Sequence, residues 1–410
     1  MQLHTGRPFW PIKDGLPAVY PSLTSSITTE FVVLGGGITG AILAHRLAST
    51  GREVVVIDKR EVASGSTAAT TALIQSELDI PAVQIARKLG QGVAIEIQHG
   101  TRRCVRDFVS LAERLPDVRD VRSAHVTTRP TLKLASNRRD VRALHADFTF
   151  REHAGFDVRW LSADDLARDY AIARPAGIRS TDSAECDPFL FTHALLADAV
   201  RLGARVFDRV PVCDVMLGND WGEPVIITTD TGHVIRARSV IAATGYESTQ
   251  WLGRRPAALR NTYAMVSEPI LEEVSDAWPE RCLIWETGHP YLYLRQTADG
   301  RVLVGGEDDR FRTPLARDRR IHKKAEKLVS KVSQLMPHLM LEPAYSWAGT
   351  FGETVDALPR IGPVDGKPNL FVAACYGGNG ITFSMLAAEL LESRIKGEAH
   401  PLAECVRCDR

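Results

Sequence analysis

Two short apolar runs, residues 31–34 and 54–57, flank a segment of helical character that ends near Thr50. The turn leaving the first run carries glycines at 35, 37 and 40, and Asp58 closes the second run. Strand, glycine turn, helix and second strand make a βαβ unit. Each glycine has a steric reason: Gly35 permits the tight turn, Gly37 lets a pyrophosphate approach the backbone, and Gly40 lets helix and strand pack closely. The helix start, at Ile38 and Thr39, then presents unpaired N–H groups and a positive dipole end to the phosphates. Asp58, eighteen residues beyond Gly40 and followed by Lys59, stands where a carboxylate accepts from a ribose 2′-OH and repels a 2′-phosphate. The unit is read as a dinucleotide site that disfavours NADP.

Helical periodicity continues over 83–115, with charges alternating on a solvated face. Short strands follow from 119 to 160, with one helix near 138–154. A helix over 188–202 precedes a strand at 204–207, and the runs 224–229 and 234–243 form a hairpin around Asp230, Thr231 and Gly232. The stretch 260–310 is strand-rich and 318–336 helical. The chain ends with a strand at 370–374, a glycine cluster and a closing helix to about residue 396. Residues 1–27, rich in Pro, Ser and Thr and carrying Trp10 and Tyr20, read as an extended arm on the surface. The predicted class is α/β. A discontinuous Rossmann-like domain takes 28–115, 178–250 and 347–410, and a mostly antiparallel sheet with helices takes 116–177 and 251–346.

Composition narrows the function. A chain of 410 residues suggests about two or three folding units. Fifty basic and fifty acidic residues cancel, so nothing marks a nucleic-acid or anionic-membrane partner. No apolar run approaches the roughly 20 residues that span a bilayer, and the start MQLHTGRPFW has no signal-peptide core, so a cytoplasmic location is expected. Seven scattered cysteines suit free thiols. Cys405 and Cys408 have no second pair near them, and no metal site is expected.

Four motifs carry a resemblance that spans nearly the whole chain: LGGGITG with Asp58, SGSTAATTAL after it, VIAATGYES at 240–248, and the pair FGETVDALPRIGP and NLFVAACYGGNGI near the end. In them the chain resembles the D-amino-acid oxidase superfamily of FAD enzymes, which includes glycine oxidase, sarcosine oxidase and γ-glutamylputrescine oxidoreductase. The arm with FWP looks most like the γ-glutamylputrescine branch. The resemblance implies a GR2-type FAD domain. It places Ser66, Thr67 and Ala68 at phosphate or flavin edge, although a helix cap would also explain the two hydroxyls. Ala243, Thr244 and Gly245 are placed beside the dinucleotide, and the backbone of Val212 at adenine. Gly377, Gly378, Asn379, Gly380 and Ile381 are placed at the flavin pyrimidine, where a helix start favours negative charge. No histidine occurs in 64–72 and no cysteine in 349–359, so the FAD is expected to be non-covalent.

The implied chemistry is hydride transfer from a small-molecule amine or amino-acid derivative to flavin N5, giving an imine that water hydrolyses; the electron acceptor is O2 or another species. Phe351 stands where glycine-oxidase-like relatives carry a carboxylate-binding arginine, which disfavours a simple α-amino acid. Leu303 stands where the resemblance to sarcosine oxidase places a lysine. Tyr246 and Tyr376, from the cofactor motifs, and Tyr291, Tyr293 and Arg295, with Tyr263 and Glu307 on neighbouring period-two positions, are the expected substrate wall. Two alternatives stay open: oxidation of a C–OH group of glycerophosphate type, and a flavin-bearing subunit that passes electrons to a partner.

Overall fold

The computed structural model describes residues 4–116, 124–218, 223–252, 257–271 and 278–410. The start of the strand-rich stretch expected over 119–160 lies outside them. The run VVVI is buried at every position, as a strand covered on both faces requires. Val54–Ile57 accordingly sits inside a parallel arrangement, with Arg205–Phe207 on one side and Ile27–Leu34 on the other. Ile27–Leu34 pairs with Val234–Ala242, whose last residues pair in parallel with Lys367–Ala374. The first half of Val234–Ala242 turns back through the expected hairpin to Val225–Thr229, which pairs with Val212–Met216. The helices Ile38–Ser49, Pro188–Arg201 and Gly380–Lys396 bury Ile42, Leu43, Leu47, Phe191, Leu195 and Phe383 in one core with Val33, Val54 and Val56. The helical stretch expected over 83–115 is two helices, Ala82–Leu89 and Gln91–Arg114, broken at Gly90, whose φ of +92° a helix cannot hold.

The second sheet has nine strands in the order His4–Gly6, Pro343–Glu353, Ala258–Ser267, Val302–Arg310, Leu292–Gln296, Leu283–Glu286, Thr131–Leu134, Ala176–Ser180 and Val158–Ser162. The helix Ile321–Leu335 seals it through Leu328, Val332 and Leu335. Two of these strands cross the boundaries expected at 178 and 347.

The arm is not an extended surface segment. His4–Gly6 adds an edge strand against Trp347–Gly349, and Phe9–Asp14 is a helix. Phe9 and Trp10 are each 2% exposed, packed with Ala264, Val266, Leu303 and Trp347. The Pro and Ser content that suggested a loose segment belongs mainly to 16–26, whereas the aromatic pair carries enough apolar area to dock what precedes it.

Candidate functional site: a cofactor cleft continuous with an acidic aromatic pocket

One cavity of about 870 Å³ is lined by both sheets. At the parallel sheet Gly35 and Gly40 meet the steric needs that their spacing implied. Gly35 has φ +106°, and a Cβ on it would lie 2.5 Å from the Ala243 carbonyl; a Cβ on Gly40 would lie 1.8 Å from the Gly35 carbonyl. Gly35, Gly37, Ile38, Thr39, Asp58, Lys59, Ser66, Thr67, Val212, Ala243, Thr244 and Gly245 all line the cavity. Gly40 and Ala68 lie behind the wall rather than on it, the first as a packing contact and the second 1% exposed. Thr67 Oγ1 accepts the Ile38 N–H at 3.0 Å, so this hydroxyl caps the dinucleotide helix. Asp58 accepts from Gly36 N–H at 2.7 Å and from Arg60 N–H at 2.8 Å. Burial raises its carboxyl from the ordinary value against the pull of those two donors. Lys59 pairs with Glu247 at 2.7 Å.

A second helix start meets the first. Thr39 Oγ1 and Ser384 Oγ are 2.7 Å apart, tying Ile38–Ser49 to Gly380–Lys396. Gly377, Gly378, Gly380 and Ile381 line the cavity. Asn379 does not; its side-chain amide donates to the Glu77 carbonyl at 2.8 Å and anchors the turn from behind. Neither helix has a side-chain hydrogen bond from its own cap residue, Gly37 or Asn379. Two helix starts whose first N–H groups lack an own-residue cap, set in one cleft, suit a pyrophosphate at the first and the electron-rich pyrimidine edge of a flavin at the second. The residues present therefore fit FAD.

The other end of the cavity is aromatic and acidic. Tyr246, Trp285, Tyr291, Tyr293, Phe351 and Tyr376 line it together with Asp79, Asp308 and Glu353. The Tyr246 hydroxyl reaches the Gly377 carbonyl at 3.3 Å, and the Tyr293 hydroxyl lies 3.0 Å from Thr262 Oγ1. The Tyr293 ring lies where Gly305 has no side chain, since a Cβ there would stand 2.1 Å from it. Trp285 donates its indole N–H at 3.1 Å to the buried Glu77, which also faces Arg151 and accepts from Ser180. Asp79 accepts the Gly378 N–H at 3.2 Å, and Glu353 pairs with Arg260 at 3.0 Å. Asp308 Oδ1 has no hydrogen-bond partner, and burial pushes this carboxyl up to about 6. Asp79 is raised as well, first by burial. The basic residues on the cavity wall stand elsewhere: Lys59 and Arg60 follow Asp58, and Lys367 opens the strand whose opposite end leads to Tyr376.

Arg295 is not part of this wall, contrary to expectation. Its guanidinium is 2% exposed, bound to Glu185 at 3.2 Å and to the carbonyls of Thr71, Gln296 and Cys186, and it lies 5.3 Å from the Trp10 ring centre. It shares a strand face with Tyr293, but the N-terminal helix covers the sheet there. Tyr263 turns to Asp309, and Glu307 to Lys324 and Lys331. Leu303 does not line the cavity; it is enclosed with Phe9, Trp10 and Trp347, of which Trp347 does reach the cavity wall. Sequence reasoning missed the three carboxylates and Trp285, which come from separate strands and loops and share no local motif.

The family model described as DAO, FAD dependent oxidoreductase, matches residues 30–394. Glycine oxidase of Geobacillus kaustophilus (strain HTA426) is 24% identical over 390 residues, covering 89% of this chain and 93% of that protein. Gamma-glutamylputrescine oxidoreductase of Escherichia coli (strain K12) is 24% identical over 398 residues, covering 93% and 87%. The crystal structure of L-proline dehydrogenase from P. horikoshii superposes with a TM-score of 0.74 at 20% identity, covering 95% of this chain and 98% of that one. The chain belongs to the DAO family of FAD-dependent oxidoreductases. Among the described residues no helix is long and apolar enough to cross a membrane.

Proposed function

We propose that the protein oxidises a C–N bond of an amine whose positive charge sits away from the reacting carbon. The observation that carries this reading is the lining of this end of the cavity: Asp79, Asp308 and Glu353, with one Asp308 oxygen unpartnered, stand beside Tyr246, Trp285, Tyr291, Tyr293, Phe351 and Tyr376, and no lysine or arginine joins them among the described residues. Aromatic faces and a desolvated carboxylate both attract an ammonium group. An α-carboxylate would find no bidentate partner beside Phe351, and a glycerophosphate would face three like charges. The relatives named above, an oxidase of glycine and an oxidoreductase of γ-glutamylputrescine, support amine chemistry in general.

FAD, when bound, supplies the two-electron acceptor. The chain's own residues do the rest. In this reading Asp308 holds the non-reacting ammonium, assisted by Asp79. Tyr246, fixed on the Gly377 carbonyl, and Tyr293, fixed on Thr262, wall off water and orient the carbon bearing the neutral reacting amine. Asp58 takes the ribose, and the FAD is held without a covalent bond.

Anaerobic mixing of the yellow protein with a panel of diamines, N-alkyl amines, α-amino acids and hydroxy acids tests the proposal. Bleaching by diamines is expected. Bleaching only by hydroxy acids or phosphorylated alcohols would replace it with C–OH oxidation, and no bleaching at all with the electron-passing subunit.

A further inference from the structure

The turn that follows the Asp58 strand, residues 64–71, contributes Gly65, Ser66, Thr67, Ala69, Thr70 and Thr71 to the cavity wall. Side chains from distant parts of the chain hold four of its carbonyls. His4 Nε2–H donates to Ser64 O at 2.7 Å, and Trp10 Nε1–H to Thr70 O at 2.8 Å. Trp347 Nε1–H reaches Ala69 O at 2.8 Å, and Arg295 Nε–H reaches Thr71 O at 2.8 Å. These holders also support one another. The strand His4–Gly6 is paired to Trp347–Gly349, and the Arg295 guanidinium stacks over the Trp10 ring. On its inner side the turn caps the dinucleotide helix through Thr67 and Ile38. A displacement of the turn would therefore move both the small-residue wall and the first N–H groups of that helix.

We infer that the N-terminal arm is a cofactor clamp, in which His4 and Trp10 are positioning residues that hold the 64–71 turn in the shape that receives FAD. The physical argument is preorganisation. A four-residue helical turn, Ser66–Ala69, between irregular flanks is too short to hold itself, and each backbone state frozen before binding is one that FAD need not freeze. Anchoring through carbonyls fixes the backbone of the segment from its outer side while Gly65, Ser66, Thr67, Ala69, Thr70 and Thr71 remain on the cavity wall. The inference rests on the family's FAD and not on the proposed amine, so the two stand or fall separately.

The test uses the full chain stripped of flavin and titrated with FAD, following flavin fluorescence. Trp10→Phe keeps an aromatic ring and deletes the indole donor, and His4→Leu deletes the imidazole donor; one neutral hydrogen bond lost corresponds to a weakening of roughly three- to tenfold in each. His4→Gln, which retains a side-chain N–H, should recover most of the affinity. The flavin absorption band and midpoint potential of the reconstituted variants should shift too, because the wall beside the ring system has moved. Leu328→Ala, in the core of the other sheet, serves as the control for lost stability alone. The clamp is refuted if Trp10→Phe binds FAD within about twofold of the parent with an unchanged flavin spectrum. It is equally refuted if Leu328→Ala, at a matched fall in Tm, weakens FAD and shifts the spectrum as much.

Discussion

Gly36 donates its backbone N–H to Asp58 Oδ2 at 2.7 Å, so the acid at the end of the second strand closes the glycine turn at the end of the first. The other oxygen takes the Arg60 N–H at 2.8 Å. One carboxylate thus fixes both loops that frame the nucleotide end of the cleft, in addition to its proposed contact with the ribose. Removing it leaves two backbone donors without their acceptor. Asp58→Ala should lower FAD affinity by about 1.5 to 3 kcal/mol, on the order of ten- to a hundredfold, with the fold retained. Asp58→Asn, which keeps one acceptor oxygen, should fall between. Titration of flavin-free protein reads both. Parent-level affinity in Asp58→Ala would show that neither the ribose contact nor the loop closure matters.

Asp308 gives a pH prediction with a definite sign. Its carboxyl is raised to about 6, chiefly by burial and further by Asp79 and Glu353, against donation from Thr262 and the more distant Lys324. The protonated carboxyl holds an ammonium poorly. kcat/KM for a cationic amine should therefore climb as pH rises through about 6, and this limb should vanish in Asp308→Asn. For stability the sign is opposite. Between the ordinary carboxylate value and about 6 the native state binds more protons than the unfolded one, so this group's contribution falls as pH rises through that window. Asp308→Asn should flatten that part of the Tm profile. A limb near 6 that persists in the variant would assign it to another group.

The nucleotide end was legible because its constraints are local. Gly35, Gly37, Gly40 and Asp58 lie within one βαβ unit, and steric need ties each to a fixed place in the sequence. The hairpin at 224–243 and the closing helix after Gly380 were legible for the same reason, being set by turn residues and hydrophobic period. The substrate end was legible only in part. Period two put Tyr293 and Arg295 on one face of Leu292–Gln296, but it cannot say where along that face a helix from residues 9–14 will cover the sheet, and there Arg295 became a buried anchor. Asp79, Asp308 and Glu353 meet only because a turn and two strands of the nine-stranded sheet converge on one cavity. Nothing within a dozen residues of any of them announces the other two.

The mode of FAD attachment is open to a direct check. Cys213 and Cys375 line the cavity, although no cysteine lies in 349–359 and no histidine in 64–72. Burial lifts the Cys375 thiol to about 11, which leaves little thiolate to attack a flavin ring near neutral pH. Acid precipitation should therefore release FAD into a yellow supernatant. Colour kept in the pellet would point to a covalent bond, and Cys375→Ser would then show whether this sulfur forms it.

Phe351 yields the sharpest statement about substrate. It lies on the wall of the pocket, in the strand Pro343–Glu353, and the sequence resemblance puts it where glycine-oxidase-like relatives are expected to carry a carboxylate-binding arginine. Among the described residues no arginine or lysine beside Phe351 compensates. Arg295 is engaged with Glu185 and three carbonyls, and Arg260 with Glu353. The charges that do face the pocket are negative and would repel an α-carboxylate. Losing a charge-assisted pair at the reacting end should reduce the rate on the order of a hundredfold or more. Glycine and D-alanine should therefore fall at least that far below diamines in kcat/KM, measured with one electron acceptor. Asp308→Asn should narrow the gap from both sides, by weakening the diamines and by easing the repulsion of the amino acids' carboxylate. If D-alanine instead matches every amine, a cation must reach the pocket in the working enzyme, and the reading of Phe351 fails.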